Sequence, residues 1–117
     1  MDIIFGIKGK ILIAELLGEV DHHVVAKARA DIDETMEGYG SKDLIFDFSK
    51  VTFMDSSGIG IILGRYRKLS ASGGRVAITG CSASIRNILN MAGVFSIIDY
   101  MDSLEEAIEY LNRQEVS

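Results

Sequence analysis

A single-domain α/β fold with a mostly parallel sheet is predicted by three features of this 117-residue chain. Short apolar runs alternate with stretches of helical periodicity, giving the order β-β-α-β-α-β-α-β-α. The first two runs are separated only by Lys8-Gly9-Lys10, the spacing of an antiparallel hairpin. Each later strand is followed by a helix-length segment, as parallel neighbours require. The predicted sheet is therefore parallel except for one antiparallel strand from the N-terminal hairpin, and it carries about four helices.

Residues 2–7 and 10–17 supply the hairpin strands, and Gly18-Glu19-Val20-Asp21 ends the second. Asp21 is placed as the N-cap of the first helix. In that helix Val25, Ala28, Ile32, Met36 and Tyr39 recur at steps of 3, 4, 4 and 3, one apolar stripe that stops at Gly38 and Gly40. Leu44-Ile45-Phe46-Asp47-Phe48 reads as a buried strand. Ile59, Ile62, Leu63, Tyr66 and Leu69 form the stripe of a second helix, and Gly60 and Gly64 on one face of it predict close packing against the sheet.

Ser72-Gly73-Gly74 is a turn and residues 75–79 are a further strand. Ser82 or Ser84 starts a third helix with Ile85, Ile88, Leu89 and Ala92 inward, closed by Gly93. A short strand is placed around Ser96-Ile97-Ile98. Ser103-Leu104-Glu105-Glu106 has the capping-box pattern and opens a last helix with Leu104, Ala107, Ile108 and Leu111 on one side. No repeat, linker or low-complexity tract interrupts the chain, so residues 1–117 read as one domain.

Composition narrows the function. A net charge of −5, with six acidic side chains between Asp99 and Glu115, gives a nucleic-acid partner little electrostatic support. Arg65, Arg67 and Lys68 cluster on one helix but are too few to track a phosphate backbone. The single cysteine, Cys81, forms no intramolecular disulfide and has no neighbour at metal-ligand spacing. No run approaches the roughly 20 apolar residues of a membrane span, and no secretory leader is visible. The expectation is a cytoplasmic, soluble protein without membrane contact.

The segment of greatest chemical interest is Met54-Asp55-Ser56-Ser57-Gly58-Ile59-Gly60, where a strand gives way to a helix. A hydroxyl there meets unpaired N–H groups and the positive end of the helix dipole, which suits a group that becomes an anion, such as phosphoserine. Helix capping by Ser56 or Ser57 is the simpler structural use, and spacing alone leaves open which serine would accept a phosphate.

Enzymatic alternatives fail on spacing. A nucleophile elbow needs Gly two residues before and after the serine, and neither Ser56 nor Ser57 has both. His22 and His23 are read as an exposed first-turn pair; adjacent helical side chains diverge by about 100°, so they fit neither a shared zinc site nor a paired base. Asp31 and Asp33 are assigned to a solvated helix face. There is no G-x-x-x-x-G-K-[ST] string to cradle nucleotide phosphates. An aspartyl-phosphate role for Asp55 would need Mg²⁺ held by carboxylates such as Glu19 and Asp21, which the opening hairpin makes a poor fit. The chain is therefore expected to be neither an enzyme nor a metalloprotein.

Three strings in order, Gly18-Glu19-Val20-Asp21-His22-His23, Phe53-Met54-Asp55-Ser56-Ser57-Gly58 and Leu63-Gly64-Arg65-Tyr66-Arg67, together with Met91-Ala92-Gly93, resemble the bacterial anti-sigma factor antagonists of the STAS-domain family, in particular their sporulation class. The resemblance covers essentially the whole chain. Its departures are Val20 where Leu is usual and Ala92 where Ser is common.

The resemblance implies a function by partner switching. The unphosphorylated antagonist would bind a nucleotide-loaded anti-sigma factor, itself a serine kinase carrying ATP or ADP, and free the sigma factor. Phosphorylation at Ser56 would inactivate it, and a PP2C-type phosphatase would restore it. Asp21, His22, Asp55, Ser56, Ser57 and Gly58 are the implied partner-binding residues, with Asp21 presenting an acidic contact to the kinase. The free chain is expected to be a monomer without a cofactor. A domain of this family that senses a nucleotide or other small anion at the same helix N-terminus is the alternative.

Overall fold

The computed structural model describes residues 2–116, with side chains through Arg113. Met1, Ser117 and the Glu115 side chain, which the sequence reading included, lie outside the described residues. Five strands and four α-helices follow one another as β1 (Asp2–Lys8), β2 (Ile11–Val20), α1 (Val25–Tyr39), β3 (Asp43–Met54), α2 (Ser57–Ala71), β4 (Val76–Thr79), α3 (Ala83–Met91), β5 (Asp99–Met101) and α4 (Leu104–Val116). A 3₁₀ turn at Val94–Ser96 precedes β5.

The strands lie side by side in chain order. β1 pairs antiparallel with β2, and β2, β3, β4 and β5 are mutually parallel. Because parallel crossovers are right-handed and the strand order never reverses, α1, α2 and α3 all pack on one face. The buried residues follow this division. Leu12, Leu16, Leu44, Phe46, Phe48 and Ile78 face Ala28, Ile32 and Met36 of α1, Ile61 and Ile62 of α2, and Ile85 and Leu89 of α3. On the opposite face α4 alone packs, placing Ala107 and Leu111 over Ile11, Ile13, Ile45 and Ala77. Each large side chain buried this way contributes about 1.5–3 kcal/mol.

The structure departs from the sequence expectations at several points. The last strand is at residues 99–101, because Val94 and Ile98 are buried through a 3₁₀ turn. β3 runs to Met54, well beyond Phe48, and two register shifts against β2 between Glu15 and Glu19 accommodate its length. Asp21 does not cap α1. It accepts from the His23 amide at 2.9 Å and closes a turn, and the helix begins only at Val25. Tyr39 is 67% exposed and Ala92 is exposed, so neither joins the core. A Cβ added at Gly60 or Gly64 would meet open space, so these glycines do not mediate the close packing inferred from their spacing.

Asp33 is the largest correction. Instead of lying on a solvated face it bridges α1 to α2, with the Arg65 guanidinium at 2.7 Å and the Lys68 ammonium at 3.2 Å. Arg65 belongs to this lock and is buried, so it does not share a basic surface with Arg67.

Candidate functional site

The β2–α1 and β3–α2 connections meet at the C-terminal ends of two neighbouring parallel strands. The Asp55 amide donates to the Val20 carbonyl at 3.1 Å, which ties the two connections together. Asp21, His22, Asp55, Ser56, Ser57 and Gly58 therefore occupy one end of the sheet.

The start of α2 is organised by Asp55 and not by a serine. Its Oδ1 accepts from the Ser57 amide at 2.9 Å and from the Ser57 hydroxyl, closing an Asx turn. Its carbonyl accepts from the Gly58 amide at 3.1 Å, and the Ser56 carbonyl accepts from Ile59 at 3.2 Å. The first-turn amides of Ser57, Gly58 and Ile59 are thus already engaged, and the capping carboxylate sits where an anion would have been received. Ser56 makes no side-chain cap hydrogen bond and is exposed, whereas Ser57 is half-buried with its hydroxyl committed to Asp55. The two serines, equivalent by spacing, differ in accessibility.

Hydrogen bonds from the Ser57 hydroxyl, and then from its amide, hold the Asp55 carboxyl below the usual carboxylate range. His22 adds a weaker contribution, with Nδ1 at 3.7 Å from Asp55 Oδ2. His23 Nδ1 stands 3.6 Å from Asp21 Oδ1. The two imidazole centroids are 3.9 Å apart, because residues 22–24 form a turn and not the helical first turn expected for them. Both rings are exposed, each beside its own carboxylate.

Gly58 is fixed by packing. A Cβ at this position would lie 2.5 Å from Met54 Sδ and 2.6 Å from Met54 Cγ. Met54 is buried and forms the seat on which the first turn of α2 rests. The sequence reading did not assign Met54 a role; its position four residues before a helix-starting glycine was the available signal.

Among the described residues no group of three His, Cys, Asp or Glu could hold a metal ion. Burial pushes the Cys81 thiol up to about 12, which suits a packed side chain and not a nucleophile. No helix among the described residues is long and apolar enough to cross a membrane.

An unreversed sheet order with three crossover helices on one face and a fourth on the other, and an Asp-Ser-Ser-Gly turn opening the second, define a class of small α/β domain. The STAS domain profile matches residues 3–107, and the chain belongs to this family. Within it the chain is 34% identical over 101 residues to the anti-sigma F factor antagonist of Paenibacillus polymyxa, covering 86% of each sequence. It superposes on the anti-sigma factor antagonist SpoIIAA in its unphosphorylated form with a TM-score of 0.83 at 32% identity, covering 95% of this chain and 96% of that one. The phosphorylated form of the Bacillus cell fate determinant SpoIIAA gives a TM-score of 0.74 at 33% identity, over 93% and 98% of the two chains.

Proposed function

We propose that this chain is a non-enzymatic anti-sigma factor antagonist of the sporulation class that works by partner switching in the cytoplasm. In its unphosphorylated form it binds a nucleotide-loaded anti-sigma serine kinase through Asp21, His22, Asp55, Ser56, Ser57 and Gly58, and the sigma factor is released. The kinase then transfers the γ-phosphoryl group of ATP to Ser56 Oγ, releasing ADP, and the modified antagonist leaves. A PP2C-type phosphatase hydrolyses the phosphoester and returns the active form. The observation that carries this reading is the contrast between the two serines: the Ser56 hydroxyl is exposed at the head of α2, while that of Ser57 is tied to Asp55.

The engaged amides change how the modification acts. A phosphate at Ser56 is not received by free first-turn N–H groups, as the sequence alone suggested, because the Asp55 carboxylate already holds the Ser57 amide. It therefore places about 1.5 to 2 further negative charges on a surface that already carries Asp55. Control comes from that charge and not from refolding. In support, the chain shares its fold with both the unphosphorylated and the phosphorylated SpoIIAA structures. The same occupancy weighs against a small-anion sensor at this helix start.

Intact-mass analysis after incubation with ATP and an anti-sigma kinase active on a control antagonist, followed by site mapping, tests the proposal. A single phosphoryl gain at Ser56 is expected. Modification at Ser57, or no gain, would refute it.

A further inference from the structure

β1 is one of the two edge strands of the sheet, paired only with β2. Natural edges are protected by proline, bulges or inward charges. β1 has none of these between its ends: it pairs with β2 in unbroken register from Asp2 to Lys8, and Ile3 through Ile7 are apolar or glycine. Ile4 is 55% exposed and Ile7 is also exposed. The charged residues stand at the two ends only, one of each sign.

The strand is self-complementary about Phe5. A second copy laid antiparallel along the edge and centred there sets Asp2 opposite Lys8, Ile3 opposite Ile7 and Ile4 opposite Gly6, with Phe5 against its own counterpart. Both ends then carry an opposite-charge cross-strand pair, and the exposed Ile4 lies over a position without a side chain. Sliding the copy by two residues either sets Lys8 opposite Ile4 or leaves it beyond the strand, so one register is selected.

We propose that the β1 edge is a self-association surface at which two copies of this chain pair antiparallel, joining their sheets into one of ten strands. Two seven-residue edges make a small interface at the transient end of interface sizes, so the chain is monomeric at low concentration and dimeric at high. The proposal does not depend on the antagonist reading.

Sedimentation velocity from low micromolar to millimolar concentration provides the test. Wild type should show a reversible monomer–dimer equilibrium. Asp2→Lys and Lys8→Asp, each creating a like-charge pair at both ends, should each shift it to monomer, and the double variant should restore it. Ile4→Lys, at an exposed position and with folding checked by circular dichroism, should also abolish it. A monomer throughout, association that survives either single charge reversal, or failure of the double variant to restore it would overturn the proposal.

Discussion

Replacing Asp33 with alanine should destabilise this protein far more than replacing its partner Arg65 with methionine. The Arg65 side chain is only 9% exposed, and its Nη1 has Asp33 at 2.7 Å with the Arg29 carbonyl at 3.5 Å. Its Nε is buried without a partner. Removing Asp33 leaves a buried cation with one long hydrogen bond, a situation that costs about 3–5 kcal/mol. Asp33 is itself 25% exposed and keeps the Lys68 ammonium at 3.2 Å, so loss of Arg65 strands no charge. Methionine also retains the apolar stem, and the cost there should be about 1 kcal/mol. Taking about 3 kcal/mol for Asp33→Ala, the melting temperature should fall by about 10 °C for a chain of this size. Urea unfolding of both single variants and the Asp33→Ala/Arg65→Met double variant measures the asymmetry. The double variant should recover most of the loss, since apolar replacement of both partners removes the stranded charge. Equal losses in the two single variants, or a loss below about 1 kcal/mol for Asp33→Ala, would refute the claim that burial of Arg65 sets the energetics.

Further expectations concern the switch. Ser56→Ala should fold, bind the anti-sigma kinase and resist inactivation, as read by titration calorimetry and phosphorylation assay. Phosphorylation should weaken that complex by about 2–5 kcal/mol, roughly 30- to 4,000-fold, and Ser56→Asp by less, because it brings one charge and fewer acceptor oxygens. Backbone amide shifts away from residues 54–60 should be nearly unchanged on phosphorylation, and widespread shifts would contradict control by charge. Gly58→Ala should cost about 1–3 kcal/mol by forcing Met54 from under the helix start, and Met54→Ala in that background should relieve the clash as judged by denaturant midpoints. Asp55 has its folded-state pKa depressed, so its contribution to stability is complete above the ordinary carboxylate value near 3.8 and is lost as pH falls through the lower folded-state value. Ser57→Ala removes the largest cause of that depression, and a carboxyl ¹³C titration should show the Asp55 midpoint rising.

Where the sequence was legible, a periodic pattern was tied to one buried face. The stripe of α1 predicted Ala28, Ile32 and Met36, and the capping signal at Ser103 was matched by its hydroxyl accepting from the Glu106 amide at 3.1 Å. The end of β3 was not legible because Ser49 and Lys50 interrupt the apolar run at a register shift. β5 was misplaced because a short apolar run such as Ile97-Ile98 carries no periodicity that separates a strand from the turn after a 3₁₀ segment. Asp33 was misread because ion pairing across two helices leaves no trace in local spacing. In the candidate site the Asp55-Ser56-Ser57-Gly58 string was visible at once. The division of labour within it was not, because it depends on which hydroxyl turns inward to Asp55, and that is a matter of side-chain geometry.

The topology fits the proposed use of this site as a surface for another protein. Open parallel sheets bind ligands in the crevice where strand order reverses and two connecting loops part. Here the order never reverses, and the Val20–Asp55 hydrogen bond draws the two loops together. With the strand order unreversed and the first-turn amides committed, the phosphoryl transfer proposed above relies on a partner that covers this end of the sheet. On the proposed reading, a single phosphoryl group added at the exposed Ser56 hydroxyl, beside Asp55, lies across whatever docks on this helix start.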